Sequence, residues 1–252
     1  MMRLANLPAL TGCAGLGLLL LAGCATSGPN HVYFTSADSP AVFDLGPPYA
    51  EVGSALSPGE QALGLAYDFN TDHLFVRIAP AQVIRVIERP SGKILREMPL
   101  PADLHTTAPA DLAIRSSDRH LFAVHPDGRS VVELTLFGEF VRRLELRGLT
   151  TSIGGLAYDQ QNRRLLVLST SSPARLGFVG PDGNLAYYAT LAAAVNPVSL
   201  GYDAEAQRGL VPLADGRSIG EFDSAGNLVA SHPVAGAITA IDAGPRSFVR
   251  VF

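Results

Sequence analysis

The chain is poor in cysteine, in charged residues and in long apolar runs. Its only cysteines are Cys13 and Cys24, charged residues make up 17% of it, and its net charge is −4 with both signs interspersed. This balance gives no basic surface that would predict nucleic-acid binding. The apolar run over residues 14–22 has nine residues, whereas a membrane-spanning helix needs about twenty. Its length is that of a signal-peptide core.

The first 24 residues have the order of an export signal. Arg3 is the only charged residue before Asp38, the apolar run follows, and residues 21–24 read Leu-Ala-Gly-Cys. This last segment resembles the lipobox of bacterial lipoproteins, whose cysteine thiol receives a diacylglycerol. The resemblance implies that residues 1–23 are a cleaved signal peptide, that Cys24 carries the lipid and that residues 24–30 are a tether. The alternative is an uncleaved apolar helix that happens to precede a cysteine.

The same resemblance predicts where the mature protein lies. Ala25 follows the lipidated cysteine, and in proteins with this lipobox a residue other than aspartate there implies sorting to the outer membrane. We therefore expect an outer-membrane lipoprotein that faces the periplasm, with its folded domain over residues 31–252. Cleavage also removes Cys13, so that the 229 remaining residues contain no free thiol for a disulfide or a nucleophile. This length suits one all-β domain.

One pattern recurs along the mature chain. An apolar strand that often ends in aspartate is followed by a polar turn, a second apolar strand and two further strands. The leucines at the centres of these first strands are Leu65, Leu112, Leu156 and Leu200, with steps of 47, 44 and 44 residues. A period of about 40–50 residues built from four strands predicts the blades of a β-propeller. Asp68, Asp159 and Asp203 open the first turns, where a carboxylate accepts hydrogen bonds from the backbone ahead.

The two ends of the chain complete a ring of five blades. Residues 31–36, 41–45 and 50–54 have the pattern of the second, third and fourth strands of a blade, and residues 238–242 have that of its missing first strand. Sharing a blade between the termini hides two open sheet edges. Residues 247–252 are a further apolar strand, so a propeller with six blades is the alternative.

The repeat GLAYDxxxxHLFV, here over residues 64–76, resembles those of NHL-type, WD-like and related bacterial propellers. The resemblance covers nearly all of the mature chain and implies the fold. Proteins of that kind range from protein-binding scaffolds to lactonases, so the fold alone does not determine the function.

Candidate binding residues lie in the loops from strand four to strand one and from strand two to strand three, which share one face of a propeller. These candidates are His105, Asp111, His125, Arg129, Arg175, Asn196 and Arg217. Arg129 and Arg217 occupy the same position of the repeat, and guanidinium groups around a channel mouth suit an anionic ligand. Hairpin turns that carry solvated arginines are the alternative interpretation.

No catalytic group, metal ion or cofactor is predicted. Residues 216–220 match G-x-S-x-G, but that motif needs a strand–turn–helix, and here it lies on a predicted hairpin. A propeller lactonase holds a divalent metal with carboxylate and amide oxygens. The oxygen donors that such an enzyme would use here are Glu60, Asp111, Asn196 and Asp242.

Three functions follow from these observations. The first is a scaffold, anchored to the membrane through Cys24, that binds another envelope protein. The second is a metal-dependent lactonase or other hydrolase, and the third is a sensor of an anionic small molecule. Nothing in the sequence assigns an oligomeric state.

Overall fold

The computed structural model describes residues 30–46 and 48–245, which form five four-stranded antiparallel sheets. Strands are numbered in chain order, and each blade is given from its innermost strand outward. Blade 1 consists of β20 (Ile238–Pro245), β1 (Asn30–Ser36), β2 (Ser39–Asp44) and β3 (Ala50–Ser54). Blade 2 consists of β4 (Gln61–Asp68), β5 (His73–Ala79), β6 (Val83–Glu88) and β7 (Lys93–Pro99). Blade 3 consists of β8 (Leu112–Arg115), β9 (His120–Val124), β10 (Ser130–Thr135) and β11 (Phe140–Glu145).

The last two blades have the same internal order. Blade 4 consists of β12 (Ile153–Asp159), β13 (Arg164–Ser169), β14 (Arg175–Val179) and β15 (Leu185–Thr190). Blade 5 consists of β16 (Gly201–Asp203), β17 (Arg208–Pro212), β18 (Ser218–Phe222) and β19 (Leu228–Pro233). One short 3-10 helix, Ala102–Leu104, interrupts the loop between blades 2 and 3. The predicted propeller of five blades is confirmed, and the alternative with six is wrong.

The termini close the ring as predicted. Strand β1 pairs antiparallel with β20, and Tyr33 lies opposite Asp242 while Phe34 lies opposite Ile241. The first strand of blade 1 therefore comes from the end of the chain and its other three strands from the beginning. The predictions for the signal peptide, Cys24, the tether and residues 247–252 fall on parts of the chain outside the described residues.

Apolar residues fill the space between every two neighbouring blades. Successive side chains of a strand point to opposite faces of its sheet, and in a ring each face meets another blade. Leu74 of β5 therefore packs towards blade 1 while Phe75 packs towards blade 3, and both are fully buried. This explains why the inner strands are continuous apolar runs and not alternating ones. Within the described residues no helix has the length and apolar character needed to cross a bilayer.

The turns after the inner strands form as the aspartates predicted. Asp68 Oδ1 accepts a hydrogen bond from the Asn70 amide at 3.2 Å, and Asp203 Oδ1 accepts one from the Glu205 amide at 2.9 Å. Asp159 forms the same contact with the Gln161 amide at 3.1 Å.

Candidate functional site

The two ends of the central channel differ in which loops surround them. Because the strands alternate in direction, the loops from strand four to strand one and from strand two to strand three lie at one end, called the upper mouth here. The turns from strand one to strand two lie at the other end, the lower mouth. All seven predicted binding residues come from upper-mouth loops or the strand ends beside them.

The two candidate histidines of the upper mouth have protein partners. His105 is exposed, and its Nε2 lies 3.1 Å from the Leu100 carbonyl oxygen. His125 is partly buried between Asp127 and Arg143, with its Nε2 3.2 Å from an Arg143 nitrogen. Each ring is held by its own blade and loop.

The three candidate arginines lie on three different blades. Arg129 is exposed in the hairpin before β10. Arg175 donates a hydrogen bond to Thr150 Oγ1 and stacks on Tyr187, with its guanidinium carbon 3.8 Å from the ring centroid. Arg217 lies 3.7 Å from Asp38. Within the described residues, no hydrogen bond or ion pair joins any two of the seven candidates.

Asp111 is a structural centre at the upper end of the inner strands. Its carboxylate is fully buried, and Oδ2 accepts hydrogen bonds from the amides of Leu156 and Leu200, each at 2.9 Å. Ser199 Oγ donates to Oδ1 at 2.9 Å. Burial raises the pKa of Asp111 well above its ordinary value, against the opposing effect of these hydrogen bonds. Its oxygens thus face the backbones of blades 4 and 5 and not solvent at the mouth.

Sequence reasoning missed a second buried polar group beside Asp111. Arg77 of β5 is fully buried and donates hydrogen bonds to the carbonyl oxygens of Val124, at 2.8 Å, and Leu104. Burial lowers its pKa to about 10, and the nearby Asp111 carboxylate opposes that shift. Arg77 thereby fixes the loop between blades 2 and 3 to both blades. The sequence signal for this buried polar group was an arginine inside an apolar strand, HLFVRIA.

Three of the four oxygen donors of the lactonase hypothesis, Glu60, Asp111 and Asp242, have separate partners. Glu60 pairs with Arg85 at 2.8 Å, and that hydrogen bond lowers its pKa. Asp242 accepts a hydrogen bond from the Tyr67 amide, while Asn196 donates its own backbone amide to Pro212. No group of three or more His, Cys, Asp or Glu side chains is placed to hold a metal ion within residues 30–46 and 48–245.

The lower mouth contains a cavity of about 440 Å³ to which all five blades contribute. Its wall includes the repeat-equivalent tyrosines Tyr67, Tyr158 and Tyr202, together with Phe69. Its acidic side chains are Asp203, Glu205 and Asp242, and its remaining polar side chains are Asn30, Gln160 and Gln161. The recurring tyrosine before the turn aspartate was the sequence signal for this cavity, because a repeated position places the same side chain around the ring.

Asp242 is the most buried acid of this cavity. Its side chain is 8% exposed, Oδ2 accepts a hydrogen bond from the Tyr67 amide at 2.7 Å, and Oδ1 accepts one from the Ala243 amide at 2.8 Å. Burial raises its pKa to about 7 although both hydrogen bonds favour the charged form. In the repeat, this position is occupied by alanine or glycine in the other blades.

Large apolar side chains are exposed on the rim of the ring. Phe137 and Phe140 of blade 3 are 71% and 57% exposed, and Val141 is beside them. The neighbouring strand β7 exposes Ile94 and Leu95. These five residues are called the rim patch.

Arg96 connects the two parts of the rim patch. It donates a hydrogen bond from blade 2 to the Leu136 carbonyl at 2.7 Å, and its guanidinium carbon lies 4.9 Å from the Phe137 ring centroid. The Phe137 ring of blade 3 is therefore held against blade 2.

No family model and no curated protein matches the chain. Among solved structures it is similar to a chain of a nidogen/laminin complex, with a TM-score of 0.62 and 13% identity over 85% of this chain and 98% of that one. It is also similar to the gluconolactonase XC5397 of Xanthomonas campestris, with a TM-score of 0.56 and 18% identity over 83% and 74% of the two chains.

A further similarity is to virginiamycin B lyase of Staphylococcus aureus, with a TM-score of 0.51 and 15% identity over 84% of this chain and 68% of that one. At these identities the likeness is one of fold. The chain is a five-bladed β-propeller.

Proposed function

We propose that this protein is a membrane-anchored binding module whose propeller holds another envelope protein through the rim patch. The observation that carries the proposal is that Phe137 and Phe140, three positions apart on blade 3, are both largely exposed. Aromatic side chains are enriched where proteins bind one another, and contiguous exposed apolar surface is rare on proteins that act alone.

The geometry of the patch favours a preformed contact surface. Phe137 lies in the hairpin that joins β10 to β11, and Arg96 of the next blade packs on its ring. A side chain that is already ordered loses less conformational entropy when a partner covers it. The rigid blades beneath therefore present the aromatic rings in one arrangement.

Membrane attachment remains the part of the proposal that rests on sequence alone. The lipobox-like segment ending in Cys24 supports it. Replacement Cys24→Ser should move the protein from the membrane fraction to the soluble fraction and abolish labelling by radioactive palmitate. Retention of the variant in the membrane fraction would argue against lipid anchoring.

A site-specific photocrosslinker tests the binding surface. We expect p-benzoylphenylalanine at position 137 to give a discrete crosslinked product in intact cells, because its ring would lie against the partner. The matched control places the crosslinker at Leu228, which is 39% exposed and lies on the corresponding hairpin strand of blade 5. The product should be absent from the control and lost on Phe140→Ser.

Two outcomes contradict the proposal. A product of equal yield from positions 137 and 228 would mean unspecific capture. The absence of any product from position 137, in cells where the protein is folded and membrane-bound, would remove the rim patch as the contact surface.

The two other functions stay predictions. A lactonase would retain a divalent metal through purification and unfold at a higher temperature when Ca²⁺, Mg²⁺ or Zn²⁺ is added. A sensor of anions would lose its ligand when Arg129 and Arg217 are both changed to glutamate, with little change in stability because these are exposed turn residues.

A further inference from the structure

We propose that the cavity at the lower mouth binds a small organic cation, an alkylated amine or quaternary ammonium with an apolar body. This site is separate from the rim patch and does not depend on the function proposed above. The cavity of about 440 Å³ falls within the range of roughly 300–1,000 Å³ that small-molecule sites occupy.

The charge of the cavity wall is the first observation that supports the proposal. Among the described residues, the side chains that line the cavity include Asp203, Glu205 and Asp242 and no lysine, arginine or histidine. A concave surface with charges of one sign focuses its field and raises the local concentration of the opposite charge. An anionic ligand would instead meet carboxylates without a counter-ion.

The aromatic rings of the cavity wall are the second observation that supports the proposal. Tyr67, Phe69, Tyr158 and Tyr202 supply aromatic surface from three blades. The negative face of an aromatic ring attracts a cation within about 6 Å, and this attraction grows when water is excluded. An alkylated ammonium suits both the carboxylates and the aromatic rings of this wall, since its charge is spread over apolar methyl or methylene groups.

Two arginines lie behind the wall of the cavity. Arg115 and Arg164 lie close enough to Tyr158 and Tyr202 to oppose the burial that raises the pKa of both hydroxyls, yet neither arginine lines the cavity. Arg164 lies 3.1 Å from Asp159, and Arg115 has ion pairs of its own. The hydroxyls of Tyr158 and Tyr202 thus face cations behind the wall. Arg115 also lies 6.0 Å from the centroid of the Tyr158 ring, so a ligand would meet that ring from the cavity side, which the ring lines.

Asp242 provides the specific contact. A carboxylate has about four acceptor positions, and the amides of Tyr67 and Ala243 use one on each oxygen. Further positions are available to a ligand in the cavity that this side chain lines. The four other blades carry alanine or glycine at this position, so Asp242 places an acid at one point of the fivefold ring. A cation bound beside it favours its charged form against the effect of burial.

Binding of choline, compared with 3,3-dimethylbutan-1-ol, tests the proposal. The two molecules have nearly the same shape, but the alcohol has carbon in place of the charged nitrogen. We expect choline to bind at least about tenfold more tightly than the alcohol, with nuclear magnetic resonance shift changes confined to the rings of Tyr67, Tyr158 and Tyr202 and to their neighbours.

Two variants sharpen the test. Asp242→Asn keeps the shape of the side chain and should weaken choline binding at least fivefold. Asp215→Asn changes an exposed aspartate at the upper mouth and should leave binding unchanged.

Equal affinity for choline and the alcohol, the absence of saturable choline binding, or shift changes centred on the upper mouth would each overturn the proposal. The wild-type shift map decides the matter even if Asp242→Asn does not fold.

Discussion

Ser199 donates a hydrogen bond from its Oγ to Oδ1 of Asp111 at 2.9 Å, and this contact joins blade 5 to blade 3 across the channel. The two residues are 88 positions apart in the chain. The inner edge of each innermost strand has no partner strand, so its amides need other acceptors. Asp111 supplies them for Leu156 and Leu200.

Loss of the Asp111 carboxylate should destabilise the ring. Asp111→Ala leaves the two buried amides of Leu156 and Leu200 without this acceptor, at about 1–3 kcal/mol for each, while Ser199 Oγ still has the Ile241 carbonyl as an acceptor at 3.2 Å. We expect the free energy of unfolding to fall by about 2–6 kcal/mol for alanine and by less for Asp111→Asn, whose amide oxygen still accepts. Urea unfolding at pH 7, followed by circular dichroism, measures both variants. Equal losses would show that the hydrogen bonds contribute little.

The stability of the folded protein should decrease as the pH rises, because of Asp242. Its pKa is about 7 in the folded protein and 3.8 ordinarily, so between these values the folded state holds a proton that the unfolded state has released. The contribution of the protonated group is complete below about pH 4 and is lost as the pH rises through 7. The free energy of unfolding of Asp242→Asn should therefore exceed that of wild type by a larger amount at pH 8 than at pH 4. The increase should be a few kcal/mol, at about 1.4 kcal/mol for each unit of pKa shift.

Urea unfolding at pH 4 and pH 8 checks this expectation. Asp111 also has a raised pKa and is present in both proteins, so its effect cancels in the comparison. Parallel stability curves for wild type and Asp242→Asn would contradict the assignment.

Substitutions at two glycines distinguish the cost of backbone strain from the cost of a clash between blades. Gly226 and Gly216 both have positive φ, 87° and 67°, but a β-carbon at Gly226 would collide with the Thr190 carbonyl of blade 4, whereas one at Gly216 meets nothing within 4 Å. Gly216→Ala should cost about 1 kcal/mol, as left-handed backbone does for residues other than glycine. Gly226→Ala should cost at least about 1 kcal/mol more, because a backbone must move. Thermal and urea unfolding compare them, and equal costs would argue against tight contact between blades 4 and 5.

A disulfide across the closing strands should stabilise the ring. Val32 and Ala243 are directly paired between β1 and β20 and pack on the same apolar cluster. A chain that begins after Cys24 has no other cysteine, so the double variant Val32→Cys, Ala243→Cys forms one defined bond. We expect about 2–4 kcal/mol of added stability under oxidising conditions, measured as the shift of the urea midpoint on adding dithiothreitol. No difference between the oxidised and reduced forms would mean that the ends of the ring already stay paired in the unfolding transition.

The blades were predictable from sequence because each repeats a local pattern. The leucines of the inner strands, the aspartates of the turns and the apolar pairs of strands recur at fixed distances, and the physical demands on them are met within one blade or between two neighbours. The closure by residues 238–242 followed from the same pattern, since a three-stranded first blade leaves an edge that needs one more strand.

The location of the cavity was not predictable in this way. The sequence predicts candidate ligand contacts at the upper mouth, and the structure shows Asp111 bonded there to the backbones of two other blades. Whether a carboxylate meets solvent or an amide depends on the positions of three inner strands at once. Arg175 stacks on Tyr187, whereas Arg217 lies beside Asp38. These contacts likewise depend on neighbouring loops.

The sequence by itself determined the repeat and favoured both a ring of five blades and the pairing of the two ends, because strand period and turn chemistry are properties of short segments. Only the tertiary structure decided that one repeat position holds a buried acid in blade 1, that tyrosine rings from three blades surround one cavity, and that two phenylalanines of blade 3 stay exposed. Those features arise from the radius of the ring and the packing of neighbouring blades, which bring together residues far apart in the chain.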